Sequence, residues 1–505
     1  MGVVNSLVGW YMRKRLPQIY KSIENPIDAQ INTLFNLLKV AQSTVYGKKY
    51  GFESISTFTK FTDRLPVANY EALKPFINKN LEGQQNILWP SEIKWFAKSS
   101  GTTSNKSKYI PVSFETLESC HFRGGRDMLT FYFDQYPDSK IFTGKSLFIG
   151  GSKSINKYND HSYTGDLSAV MMNNLPFYIN LISTPKPKVA LMPDWEVKIE
   201  AMAQEIVNQD VTNISGVPTW TLLLLKRLLE ISGCKSIGEL WPNLELYFHG
   251  GVNFKPYHAQ FEQLIAKKNM RFMEAYNASE GFFGMQQELN MDMLLMVDYG
   301  IFYEFIPMEN YEEDNPKTYM LDQIETNKDY AVLISTNSGL WRYDLGDTIV
   351  FTSKKPYRFR ITGRTKLFIN AFGEELMIHN AEEAMEWACK NTGADFHEFT
   401  AAPVYIEDGK SGGHEWLIEF NKVPTDLQRF INFLDQKLKE LNSDYEAKRN
   451  GNLAMLPPKI TQLSKNTFYQ WLKSHGKLGG QNKVPRLSNN RRIIEEIILY
   501  NEKSN

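Results

Sequence analysis

Residues 99–108 read Ser99-Ser100-Gly101-Thr102-Thr103-Ser104-Asn105-Lys106-Ser107-Lys108, directly after the apolar-aromatic run Ile93-Lys94-Trp95-Phe96-Ala97. Hydroxyls and backbone N–H groups hydrogen-bond phosphate oxygens, Gly101 lets the backbone approach an anion closely, and a lysine supplies a point charge. The stretch reads as a loop built to hold a polyphosphate. It departs from the Walker pattern, in which two glycines flank four residues before Lys-Ser/Thr. Serine, threonine and lysine also fill ordinary surface loops, so a plain polar loop is the competing reading.

Around that loop the chain is large and electrically neutral. At roughly 100–200 residues per domain, 505 residues suggest about two to four units. With 42% hydrophobic and 13% aromatic residues, the chain can bury large cores. Lysine plus arginine and aspartate plus glutamate number 57 each, for a formal net charge of 0. A nucleic-acid partner usually requires a basic excess or face, so the balance points to small-molecule substrates. Cys120, Cys234 and Cys389 lie far apart without a CxxC spacing. That excludes a disulfide framework or a structural zinc site and fits a reducing, cytoplasmic location. No apolar run reaches the ~18 residues a bilayer span needs, so no stable membrane insertion is expected. Met1-Gly2-Val3-Val4-Asn5-Ser6 formally matches the short myristoylation pattern. Leu7 to Leu16, with Trp10, Tyr11 and Arg13-Lys14-Arg15, is too short and basic for a signal-peptide core. An amphipathic helix lying on the body is the expectation there. Nothing in the sequence sets the oligomeric state.

Helical periodicity appears at Ala29–Tyr46, Phe114–Phe133, Trp195–Gln209, Thr219–Ile231, Tyr257–Lys268, Ala381–Asn391 and Asp426–Leu441. Strand-like runs lie between: Lys145–Ile149, Val211–Gly216, Leu244–Phe248, Arg271–Ala275, Met293–Val297, Ile301–Ile306 and Ala331–Ser335. Ile349–Thr352, Arg358–Ile361, Ala402–Ile406 and Glu415–Phe420 follow. This alternation predicts an α/β fold with mostly parallel sheets. A boundary falls near residues 363–373, where a strand-rich stretch ends in Gly363-Arg364-Thr365-Lys366 and Gly373 follows. It separates a large N-terminal domain, 1–364, from a mobile domain, 365–505. The second reads as a small α+β module: a helix, two strands joined by the turn Asp408–Gly413, a second helix and a Lys/Gly-rich tail. A small module hinged to a nucleotide-binding body predicts closure over a ligand.

Two further stretches carry chemistry. In Glu274-Ala275-Tyr276-Asn277-Ala278-Ser279-Glu280-Gly281 a strand ends in a turn that presents an aromatic, a hydroxyl and an acid, the loop position where open α/β sheets bind ligands. A carboxylate beside a triphosphate can hold Mg²⁺, which takes one or two acids plus phosphate oxygens. Alone, Glu280 could equally be an acid at a helix N-terminus. In Gly339-Leu340-Trp341-Arg342-Tyr343-Asp344-Leu345-Gly346-Asp347, Asp347 can accept hydrogen bonds from two ribose hydroxyls, although Gly-Asp is also a common turn.

In this order the three stretches resemble the ATP-site motifs of the adenylate-forming superfamily. More narrowly they resemble the acyl-acid amido synthetases of the Gretchen Hagen (GH3) family, with Ser-Ser-Gly-Thr-Ser/Thr-x-Gly-x-x-Lys, Tyr-x-x-Ser-Glu and Tyr-Arg-x-Gly-Asp. Gln481-Asn482-Lys483-Val484-Pro485-Arg486 resembles that family's Gln-Tyr-Lys-x-Pro-Arg. Two positions depart. Asn105 replaces a glycine, and asparagine is the side chain that best tolerates a positive φ. Asp344 stands where the family has arginine, with Arg342 two residues before it.

The resemblance implies roles residue by residue. Ser99, Ser100, Gly101, Thr102, Thr103 and Lys108 hold the phosphates; Tyr276 stacks on adenine, with Gly250 and Gly251 against the base. Ser279 and Glu280 follow, Glu280 ligating Mg²⁺. Asp347 binds the ribose, and Arg364 belongs to the hinge beside the nucleotide. Lys483, from the small domain, neutralises charge at the α-phosphate, and with Lys108 it is the catalytic pair. Val217, Thr219 and Trp220, at a strand-to-helix junction, line the acyl pocket with Asp166 and Phe177, although such aromatics are more often core. The implied activity is an ATP- and Mg²⁺-dependent ligase. It activates a small carboxylic acid as an acyl-adenylate and conjugates it to an amino acid. Transfer to coenzyme A or another thiol, or a nucleotide-binding homologue without catalysis, are the alternatives.

Overall fold

The structure is a computed structural model. It describes residues 2–99, 108–150, 155–176, 179–192, 195–251, 254–313, 315–365, 368–369, 371, 374, 376–404, 412–442, 445–446, 449, 455–476, 483–488 and 491–504. The chain forms two compact units. The larger takes in Met1–Leu345 and Val350–Arg360; the smaller takes in Gly346–Ile349, Ile361–Leu478 and Asn482–Asn505.

In the larger unit the expected N-terminal helix forms as α1 (Gly2–Arg13). β1 (Trp95–Ser99) and β2 (Lys108–Val112) pair antiparallel, with Ser99 opposite Lys108. A single helix was expected over Phe114–Phe133. Instead a short turn of helix, Phe114–Thr116, leads into a π turn, Leu117–His121, and then α2 (Phe122–Gln135). Asn337 brackets this turn: its Oδ1 accepts from Thr116 Oγ1 at 2.7 Å and its Nδ2 donates to Ser119 Oγ at 2.9 Å. α1 lies on α2, where Arg13 donates to the Phe133 carbonyl and Thr130 to that of Met12.

Then come β3 (Lys145–Ile149), α3 (Trp195–Ile206), β4 (Val211–Gly216), α4 (Pro218–Ser232), β5 (Leu246–Gly250), α5 (Lys255–Ile265), β6 (Arg271–Ala278) and β7 (Gly281–Met285). The strands are short, and their apolar side chains are buried by the helices that alternate with them. Leu147, Val211, Ile214 and Tyr247 are fully buried against Met202, Leu225, Leu228 and Phe261 from α3, α4 and α5. Four parallel pairings link Ser183–Thr184, β3, β4, β5 and β6. The expected parallel core is therefore present, and an antiparallel part adjoins it. The eleven-stranded sheet continues through β7, Met293–Leu295, Tyr357–Arg364, Tyr343–Lys354, Asp329–Thr336 and Ile301–Pro307. β6 to β7, β7 to Met293–Leu295, and Met293–Leu295 to Tyr357–Arg364 all pair antiparallel.

The smaller unit has a three-stranded sheet, Asp395–Val404, Gly413–Lys422 and Lys459–Leu463. Helices Ile378–Thr392 and Leu427–Leu441 cover it; Phe430, Leu434 and Leu438 recur every four residues and are buried. What reads as a Lys/Gly-rich tail also carries a strand and two helices, Thr467–Ser474 and Arg492–Ser504. Phe468, Trp471, Ile494 and Ile497 give that stretch its own buried cluster. Among the described residues no helix is long and apolar enough to cross a membrane.

Candidate active site

Register places the carboxyl ends of four parallel strands in one row. Ile149 of β3 stands opposite Gly216 of β4, Gly216 opposite His249 of β5, and His249 opposite Glu274 of β6. Ligands bind outside such strand ends. Val217 follows β4 as the N-cap of α4, and a Cβ on Gly251 would lie 3.5 Å from its Cγ2. One acyl-pocket candidate and one base-contact candidate are thus brought together. Trp220 packs on the apolar core between the sheet and its helices, the reading that sequence favoured for aromatics there. The Thr219 side chain, like Phe177, lies outside the described residues.

Both glycines have structural reasons. Gly251 has φ +80°, and a Cβ on Gly250 would come 2.4 Å from the Ala275 carbonyl oxygen on the next strand. The same strand ends carry two ionisable groups, His249 and Glu274, opposite each other on β5 and β6. Burial, with His258 nearby, pushes His249 down to about 3, and its ring stacks 3.9 Å from that of Phe254. Burial pushes the Glu274 carboxyl up to about 7; Lys255 favours its charged form and Asp292 opposes it. Asp166 caps the helix Leu167–Asn174 by position, without a side-chain cap bond. Its charge supports Lys198, a fully buried lysine that burial lowers to about 8 and that donates to the Gly150 carbonyl. Neither Glu274 nor Lys198 stands out in sequence, since Arg271 shares the strand of the one and Glu196, Glu200 and Glu205 share the helix of the other.

Ser100, Gly101, Thr102, Thr103 and Asn105 lie outside the described residues, and of Ser99 only the backbone is described. Lys108 opens β2, its Nζ 5.9 Å from the centre of the Tyr70 ring, while the Tyr70 hydroxyl accepts from the Tyr109 N–H.

Tyr276 is buried on β6, its ring 4.8 Å from that of Phe283. Ser279 and Glu280 form the two-residue turn between β6 and β7, since Ala278 pairs with Gly281. Glu280 therefore ends a hairpin and does not open a helix. Ser279 Oγ is buried without a hydrogen-bond partner, the kind of orphan a ligand oxygen satisfies. Among the described residues no group of three or more His, Cys, Asp or Glu could hold a metal.

The third stretch settles the arginine question left by Asp344. Arg342, at φ +42°, is buried with Glu304, and its Nη2 lies 2.8 Å from Glu304 Oε1. It also donates to the carbonyls of Thr62 and Leu65 and to Thr318 Oγ1. So engaged, Arg342 cannot replace a substrate-facing arginine. Asp344 accepts from the Tyr311 hydroxyl at 2.6 Å.

The smaller unit groups the remaining assigned residues. Arg364 Nε lies 2.8 Å from Asp347 Oδ1, and Asp347 is buried. Burial of its ammonium and the Arg364 charge lower Lys483 to about 8, against the pull of Asp347 and Glu382, although the residue as a whole stays exposed. Arg486 anchors that segment. It pairs with Glu398, sits 4.5 Å over the Phe399 ring, and its carbonyl accepts from the Ala401 N–H. Gln481 and Asn482 lie outside the described residues.

Sequence models of three domains match the chain: the GH3 family N-terminal domain over residues 15–270, central domain over 294–364 and C-terminal domain over 379–492. The jasmonoyl–L-amino acid synthetase GH3.5 of Oryza sativa subsp. japonica is 23% identical over 557 residues, covering 92% of this chain and 93% of that protein. The indole-3-acetic acid-amido synthetase GH3.3 of Arabidopsis thaliana is 21% identical over 562 residues, covering 95% and 93%. Among solved structures, the GH3.15 acyl acid amido synthetase superposes with a TM-score of 0.79 at 15% identity, covering 96% of both chains.

Proposed function

This chain belongs to the GH3 family, and on that premise we propose that it is an ATP-dependent ligase joining a small carboxylic acid to an amino acid. The substrate carboxylate attacks the α-phosphorus, and pyrophosphate leaves with the electrons of the broken P–O bond. The amine nitrogen then attacks the acyl carbon, AMP departs, and the amine proton passes to solvent. The single observation that supports this best is the hairpin turn Ser279–Glu280, an orphaned buried hydroxyl beside an acid, set at the end of the strand that carries Tyr276.

Lys108 and Lys483 are the cations assigned to the phosphates. Glu280 would hold Mg²⁺, which when bound supplies charge neutralisation at the phosphate oxygens. Asp347 is the ribose acceptor, oriented by Arg364. Positioning and charge neutralisation account for most of such a transfer. Val217 and the Asp166 region are assigned to the acyl side.

Purified protein with ATP, Mg²⁺ and a panel of carboxylic and amino acids should release pyrophosphate, with product mass spectrometry giving an amide. A thioester formed only with coenzyme A would move the acceptor to a thiol. Absence of both pyrophosphate release and detectable ATP binding would falsify the ligase reading.

A further inference from the structure

The π turn Leu117–His121 ends in a histidine whose two ring nitrogens differ in fate. Nδ1 lies 2.9 Å from Oδ1 of Asn277, the residue after Tyr276 and three before Glu280. An amide oxygen only accepts, so Nδ1 carries the proton and Nε2 presents a lone pair. Nε2 is buried without a hydrogen-bond partner, and the residue is 1% exposed. A buried acceptor left unsatisfied is costly, so one that persists calls for a reason.

The surroundings hold this ring firmly. The neighbouring Cys120 Sγ accepts from the Phe282 N–H at 3.1 Å, and a Cβ on Gly124 would fall 2.5 Å from the Phe282 ring, so α2 is pressed onto the β6–β7 hairpin. Asn277 fixes the turn from that hairpin and Asn337 fixes it from just ahead of the third motif. π turns of this kind cluster at functional sites. Alternation along β6 puts Asn277 and Tyr276 on opposite faces, so His121 meets the hairpin on the face away from the tyrosine.

We propose that His121 Nε2 is a positioning acceptor, receiving a hydrogen bond from an N–H or O–H group of a substrate seated on the Asn277 face of β6. The inference rests on the ligase reading and deepens it. A lone pair repels phosphate and carboxylate oxygens, and the adenine and ribose donors of ATP are assigned to Tyr276, on the other face of β6, and to Asp347. That leaves two sources among the reactants: a ring or side-chain N–H or O–H on the acid, or the amine itself. Base catalysis is not its task. Burial holds His121 down to about 4, so the ring is neutral and a poor acceptor of an amine's proton.

The test compares wild type with His121→Asn and His121→Gln. Asparagine matches the Nδ1 position and keeps the link to Asn277 but leaves nothing at Nε2; glutamine places an amide oxygen there. Melting temperatures establish that both fold. Pyrophosphate exchange is read with an acid bearing a ring N–H or O–H and with the analogue lacking it, and amide formation is read separately. If the acid is the donor, His121→Asn loses about tenfold or more of the preference for the donor-bearing acid in exchange, and His121→Gln restores most of it. If the amine is the donor, exchange is unchanged and the amino-acid KM rises by about that factor in His121→Asn alone. A folded His121→Asn that moves neither overturns the proposal. Where wild type exchanges with no acid, the ligase reading fails. Calorimetric affinity for the acid pair and for the amino acid then decides His121, equal affinities in wild type and His121→Asn overturning it.

Discussion

Arg342 Nη2 and Glu304 Oε1 stand 2.8 Å apart with both side chains almost wholly removed from solvent. The pair is a folding element one residue ahead of Tyr343–Asp347, and its charges are satisfied inside the protein.

Arg342→Ala should therefore cost about 3–5 kcal/mol of stability, because Glu304 is left charged and buried. Urea unfolding measures this. The ATP KM of whatever folds should stay near wild type. A large KM rise at unchanged stability would show that the arginine faces substrate after all.

Asp347→Asn removes one charged acceptor and the partner of Arg364. A hydrogen bond to a charged group is worth about 1.5–3 kcal/mol, so the ATP KM should rise roughly 10- to 100-fold. Arg364→Ala, which leaves the carboxylate in place, should cost less. Initial rates against ATP concentration decide the order.

Lys483→Ala should lower the adenylation rate about 10²- to 10³-fold, the size of losing one preorganised charge at a transition state. With its ammonium lowered to about 8, the wild-type lysine is charged below that pH and loses its proton above it. Pyrophosphate release should decline as pH rises through 8, and the residual activity of Lys483→Ala should lack that limb.

Glu274 has the opposite consequence for stability. Its folded-state carboxyl is raised from 4.5 to about 7, so between those values the native state holds a proton that the unfolded chain has lost. Stability then falls as pH rises from about 4.5 to 7. At ~1.4 kcal/mol per pKa unit the swing is at most about 3.5 kcal/mol. Glu274→Gln should flatten it, gaining stability at pH 8 and little at pH 4, as thermal melts across that range would register.

The parallel core was legible because short β-prone runs alternate with stretches of helical periodicity. Lys145–Ile149 and Val211–Gly216 form with the expected bounds, although Ser146, Thr212 and Asn213 are buried polar residues within them. Residues whose meaning depends on a distant partner were not legible. Glu304 lies 38 residues from Arg342, and Asn277 lies 156 from His121. Glu274 is a simple acid in sequence and becomes unusual only through burial. The small unit's final strand and helices were hidden by the lysines and glycines around them, while Phe468 and Trp471 carried the apolar signal.

The π turn is also one residue longer than a regular helix would require over the same rise. Removing one residue between Leu117 and His121 would let the helix close regularly while Gly124 kept its place against Phe282, so only the side chains of the turn itself would be re-aimed. In an alignment this insertion is a single-column gap, easily smoothed away. A relative lacking that column will not bring a side chain from this turn to Asn277, however similar its flanking residues are.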